Sequence, residues 1–271
     1  MFGFNRKKPL KLVPFAQAKP RTFGALLCDG VTAHNVPSFA DLLALHASLQ
    51  REHESVRVLV SLDDLGQASY TSGHGVEAYE LDDTEDHDLS GLGDEVFEDG
   101  EHVGYLSTMA EFPIRLANLI ELSEEVELGQ VVGLLEWDTP GDANDLLTIN
   151  RHPDQALRIA AEQEIICQFV PVASASDAIA AFPNGYFNSD LNPMQNHVLA
   201  RHLEAKYDLS LFGIGSRFLG FRRQEALSEH MAQALASELV AFYSGPPPGA
   251  ANELKRLITD RDWLLLRYTE S

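Results

Sequence analysis

The chain has 271 residues, 45% of them apolar, with a formal net charge of −21 at pH 7: enough apolar material for a large core beneath a negative surface. That charge excludes nucleic acid as a partner, because phosphate backbones are repelled. No apolar run reaches the ~20 residues that a spanning helix needs, so no membrane span is expected, and Met1-Phe-Gly-Phe-Asn-Arg-Lys-Lys lacks the apolar stretch of a secretory signal.

Residues 1–22 read as a basic flexible arm, since Arg6, Lys7, Lys8, Lys11, Lys19 and Arg21 occur before any acid. Such an arm is expected to fold back on its own acidic body, membrane-surface anchoring being the alternative. Phe23 to Cys28 reads as a buried strand. Ser38 caps a helix running to about Glu54, with Leu42, Leu45 and Leu49 on its apolar face. The β-branched run Val56 to Leu62 reads as a strand, residues 63–75 as turns and Val76 to Leu81 as a short strand. From Asp82 to Glu101 the chain is a polar acidic loop.

Between Arg57 and Arg151 there are twenty-three Asp and Glu residues and a single basic one, Arg115; twelve of the acids lie between Glu77 and Glu101. This is the dominant signal of the sequence. It predicts a negative face, with Asp82, Asp83, Glu85, Asp86 and Asp88 at its densest part, that attracts cations and basic proteins. Asp86-His-Asp88-Leu-Ser90-Gly91 matches the first half of a calcium loop, but position twelve is Phe97 where a closing Glu belongs. A solvated loop gathering cations weakly is the better reading.

Thr108 is placed to cap a helix over Ile114, Leu119 and Ile120 that ends near Glu125. Gln130 to Trp137 reads as a strand. A polar helical stretch over 142–164, broken at His152-Pro153, joins two halves. The expected organisation is therefore an arm (1–22), an acidic α+β domain (23–150) and a C-terminal α+β domain (151–271). In the latter, Ile165 to Val172 is a strand, Ser176 to Ala181 a short helix, and Asn192-Pro193 opens a longer helix through Tyr207. Leu209 to Ile214 and Arg217 to Phe221 form a hairpin. The helix Glu225 to Tyr243, stopped by Gly245-Pro-Pro-Pro-Gly249, the helix Asn252 to Thr259 and the strand Trp263 to Tyr268 complete the chain. Irregular alternation of strands and helices predicts an α+β fold, with mixed or antiparallel sheets, helices packed on one face and two similar-sized halves. Cys28 and Cys167 lie in apolar, strand-like runs and are expected as buried free thiols in a reducing cytoplasm.

Asn184-Gly-Tyr-Phe-Asn-Ser-Asp-Leu-Asn-Pro-Met-Gln-Asn-His197 is the densest polar and aromatic cluster outside the acidic stretch. Tyr186, Asn188, Asp190 and Asn196 are candidate ligand or partner contacts, set against capping and packing as the plain account. Arg217, Arg222 and Arg223 form the one compact basic group of the body; Arg217 and Arg222 are candidates for gripping an anion, local pairing with acids being the ordinary outcome. The Gly213-Ile-Gly215 pair lacks the third glycine and the helix of a dinucleotide fingerprint. The zinc, phosphate-loop and serine-elbow motifs are absent, so neither a cofactor nor a metal is expected, and no catalytic residue can be picked from the many carboxylates.

Gly185-Tyr186, His197 to Tyr207, Leu209 to Phe221, Glu225 to Tyr243 and Asp262-Trp263 together make residues 185–268 resemble an uncharacterised bacterial family of unknown function. Its members carry a Gly-rich entry loop, a helix, two strands, a long Ala-rich helix and a closing Trp-containing segment. The family's usual Trp-Trp-Asp is here Leu264-Leu-Leu-Arg-Tyr268. The resemblance implies no established activity. Three functions remain open: a non-enzymatic, immunity-like or accessory module for a basic protein partner; an enzyme or small-ligand binder using a cleft near 184–197; and a self-associating homo-oligomer.

Overall fold

The computed structural model describes residues 8–137, 145–159 and 163–269. In chain order its elements are β1 (Lys11–Pro14), β2 (Asp29–His34), α1 (Phe39–Glu52), β3 (Arg57–Ser61), α2 (Leu65–Ala78), β4 (Phe97–Glu98), β5 (Glu101–His102), α3 (Phe112–Glu124), β6 (Leu135–Glu136), α4 (Leu146–Arg151), α5 (Pro153–Ala156), β7 (Ile165–Val170), α6 (Pro193–Tyr207), β8 (Ser210–Ile214), β9 (Phe218–Arg222), α7 (Glu229–Ala241), β10 (Tyr243–Ser244), α8 (Ala250–Ile258) and β11 (Trp263–Arg267). Seven strands form one sheet in the order β1-β2-β7-β3-β8-β9-β11. The fold is α+β and the sheet is mixed. Its neighbours run antiparallel except β3 and β8, which lie parallel with Val60 opposite Gly213.

Successive strand residues point to opposite faces of a sheet. Val58–Ser61, Leu211–Ile214, Phe218–Phe221 and Leu264–Arg267 are all buried without a break, so cover reaches both faces of the sheet from β3 to β11. The caps read from the sequence are in place: Ser38 accepts from the Asp41 amide, Asn192 and Gln195 form a capping box before α6, and Glu111 completes one with Thr108 ahead of α3.

Several expectations need correction. Residues 23–28 are not a strand; the strand lies just beyond, at Asp29–His34, whose polar residues hid it. Within the stretch 63–81, read as turns and a strand, Leu65–Ala78 is instead α2, capped by Asp64. Its glycines and serines weaken helix propensity, yet they let other backbone approach: around Gly75 stand the Pro183 and Gly185 carbonyls and the Pro193 ring. The Gln130–Trp137 strand shrinks to Leu135–Glu136, paired with β10.

The boundary expected near residue 150 does not divide the sheet, because β7 from the second half is inserted between β2 and β3 of the first. Residues 11–14 of the expected flexible arm are an edge strand on β2. Lys8, Lys11, Lys19 and Arg21 make no ion pair among the described residues, and residues 1–7 lie outside them. At the opposite edge the Asn150 side chain stands in for a missing strand: it accepts from the Leu265 amide at 2.9 Å and donates to the Leu265 carbonyl at 2.8 Å.

Candidate partner-binding site

Between α2 and α3 the chain makes an excursion that carries the densest acids, and α3 holds it at several points. The Asn118 amide donates to the Leu81 and Asp83 carbonyls at 3.0 and 2.8 Å and accepts from His87 Nε2 at 2.7 Å. Arg115, 5% exposed, grips Asp82 with Nε and a terminal nitrogen at 2.6 and 2.8 Å. At the returning end Glu111 is fully buried. It accepts from the amides of Ser107 and Thr108, from the Thr108 hydroxyl and from His102 Nε2. Burial pushes its carboxyl up, but these donors outweigh burial and leave the pKa below the ordinary value.

With the ends pinned inward, the remaining carboxylates turn outward. Of the twelve acids from Glu77 to Glu101, all but Asp82 are exposed. Among the described residues Asp82 is also the one of them within ion-pair distance of an arginine or lysine; Glu77 approaches His74 at 3.8 Å. Asp83 and Asp88 accept local amides from Glu85 and Ser90 in tight turns, and the Ser90 donors hold the Asp88 carboxyl below its ordinary value. Asp86, in a left-handed conformation, and Glu85 are open to solvent. Among the described residues no cluster of three or more His, Cys, Asp or Glu could hold a metal ion.

The 184–197 segment resolves differently. Asn196 is fully buried and donates to the Asn184 and Leu191 carbonyls. Asn184 accepts from the Thr71 hydroxyl, and Asp190 is buried and accepts from the Phe187 amide. Of the four candidates, Tyr186 and Asn188 reach solvent, Asp190 closes a turn within the loop and Asn196 ties the loop to α6, while Asn184 ties it to α2 through Thr71.

The arginines are engaged locally. Arg217 reaches Asp63 at 3.4 Å and the Ala156 carbonyl at 3.3 Å; Arg222 reaches the Leu43 carbonyl at 2.9 Å and Asp262 at 2.7 Å. Asp63, 1% exposed, also accepts the Ser216 amide and hydroxyl. Burial raises its pKa against those donors. This carboxylate ties the C-terminal ends of β3 and β8 together.

One arrangement has the residue types of a catalytic triad without its chemistry. His197 Nδ1 lies 2.9 Å from the Ser123 hydroxyl and its Nε2 3.0 Å from Asp177. Ser123 donates to the Leu119 carbonyl at 2.6 Å, and Ser123 and His197 are 0% and 1% exposed. A nucleophile sealed in the core and hydrogen-bonded to its own helix meets no substrate. Cys28 and Cys167 are buried, and burial pushes both thiols up to about 12, leaving no thiolate at neutral pH.

Beside the excursion lies a cavity of about 520 Å³, walled by Phe23, one face of α2, Glu77, Tyr105 and the Asp82–Arg115 pair. None of Phe23, Tyr70, His74 and Tyr105 was singled out from sequence. The missed signal is the i, i+4 spacing of Tyr70 and His74, invisible while 63–75 was read as turns. Comparisons with family models, curated proteins and solved structures find no match to this chain.

Proposed function

We propose that the chain is a non-enzymatic binding module whose acidic excursion docks a basic protein partner, in the manner of an immunity or accessory protein. Eleven exposed carboxylates between Glu77 and Glu101, without an arginine or lysine partner among the described residues, carry this reading. Such a face raises the encounter rate with cations and repels acidic competitors. The alternative of a catalytic or ligand cleft at 184–197 is disfavoured, because each of the buried side chains Asn184, Asp190 and Asn196 makes a hydrogen bond within the fold, although Asn196 Oδ1 has no partner among the described residues.

The test spares Asp82, which is structural. Asp83→Asn, Glu85→Gln, Asp86→Asn and Asp88→Asn together should slow association with a captured basic partner about tenfold at low salt and flatten its salt dependence. Failure to capture any basic protein, or capture indifferent to these four changes, refutes the proposal.

A further inference from the structure

Five rings run side by side across the outer face of α2. Phe23 lies 5.2 Å from Tyr70 and 5.1 Å from His74, centroid to centroid; Tyr70 and His74 are 4.4 Å apart; His74 is 5.2 Å from Tyr186, which is 5.4 Å from Phe187. Phe23, Tyr70, Tyr186 and Phe187 are 58%, 44%, 37% and 41% exposed. Four of the protein's exposed large apolar side chains are thus gathered in one row, and the exposed Tyr105 lines the same cavity as Phe23. Contiguous exposed aromatic surface of this kind marks an interaction site.

Its surroundings select the occupant. One end of the row opens into the cavity walled by Glu77 and the Asp82–Arg115 pair, and Glu77 and Glu80 begin the acids of the excursion that have no arginine or lysine partner among the described residues. Among the described residues Arg115 is the single cation lining that cavity, and Asp82 already neutralises it. Ring faces carry negative potential and attract guanidinium groups, whose apolar stems also cover aromatic surface. Carboxylates and ring faces at the same mouth call for a cation on an apolar stalk.

We infer that the ring row and its cavity anchor an arginine-bearing, partly apolar polypeptide segment of the basic partner, with a guanidinium lodged between Phe23, Tyr105 and Glu77. This rests on the proposed function and names the residues that grip after the carboxylates have steered. The Phe23 ring is seated by Gly73: a Cβ there would fall 2.4 Å from Phe23 Cδ1. Gly73→Ala therefore displaces the ring while every aromatic residue and every charge stays in place.

The probe is an amidated hexapeptide alternating arginine and leucine, titrated by calorimetry and by NMR of tyrosine ring protons. Matched peptides carry citrulline, the neutral isostere, for arginine. The arginine peptide should shift the Tyr70, Tyr105 and Tyr186 rings, and the citrulline peptide should bind at least fivefold more weakly. Phe23→Ala, Tyr70→Ala and Gly73→Ala should each weaken binding about tenfold and leave its salt slope unchanged. The four-fold neutralised excursion should flatten the salt slope while the ring shifts persist. Unchanged affinity in the ring variants overturns the inference yet leaves the acidic face standing if the neutralised protein still loses salt dependence; loss of neither effect removes both. Equal binding of the citrulline peptide, or ring shifts produced instead by a neutral hexasaccharide, overturns the cationic assignment.

Discussion

Arg115→Ala is the sharpest test of how the acidic excursion is held. The guanidinium makes two short bonds to Asp82, with the two side chains 6% and 16% exposed. Without it Asp82 retains the Leu106 amide at 3.4 Å. Removing one partner of a buried pair costs about 3–5 kcal/mol; the partial exposure of Asp82 lets water recover some of this, so about 3 kcal/mol is expected. An exposed pair would contribute about 1 kcal/mol or less. At about 2–4 °C per kcal/mol for a chain of this size, Tm should fall by roughly 6–12 °C in a calorimetric scan. Hydrogen exchange should accelerate selectively between residues 80 and 106, and a cycle with Asp82→Asn should show the two sites coupled by on the order of 2 kcal/mol. A fall below about 3 °C with unchanged exchange would mean that the excursion does not depend on this pair.

Asn150→Ala should cost about 3 kcal/mol, since two buried groups of Leu265 lose their partner; urea unfolding, with faster exchange of the Leu265 amide, checks this. Gly215→Ala would place a Cβ 1.9 Å from Asp63 Oδ1 and 3.0 Å from the Asp63 amide. It should destabilise by about 3 kcal/mol or more, read from the denaturation midpoint. His46 is buried, and burial together with the Arg222 charge lowers its pKa from 6.5 to about 4 against the Val58 carbonyl. On acidification the unfolded chain takes up this proton first, so the stability His46 contributes above pH 6.5 is lost as pH falls to about 4. The loss should amount to about 3 kcal/mol, and His46→Gln should flatten that part of the stability–pH curve.

The α1 and α6 helices could be read in advance because their caps and leucine spacing are local, acting within a few residues. The β8–β9 hairpin was legible for the same reason. Helix α2 was not: Gly73 and Gly75 signal turns, and the packing that outweighs their low propensity comes from Phe23, Pro183, Gly185 and Pro193, distant in sequence. At the site, the identity of the acids was plain from the chain. That Asp82 turns inward to Arg115 while Asp83, Glu85, Asp86 and Asp88 face water was not, because it depends on α3 packing against the excursion. Likewise Asp190 and Asn196 could have been surface contacts or buried ties until their carbonyl and amide partners were in place.

By itself the sequence determined the sign and concentration of the charge, the capped helices and the absence of an apolar segment long enough to span a bilayer, properties that depend on residues near one another in the chain. Tertiary structure alone decided that β7 enters between β2 and β3, and that five rings from three separate segments meet on α2. Strand insertion and ring gathering are governed by burial and hydrogen bonding between residues up to a hundred or more positions apart, and no local pattern encodes such pairings.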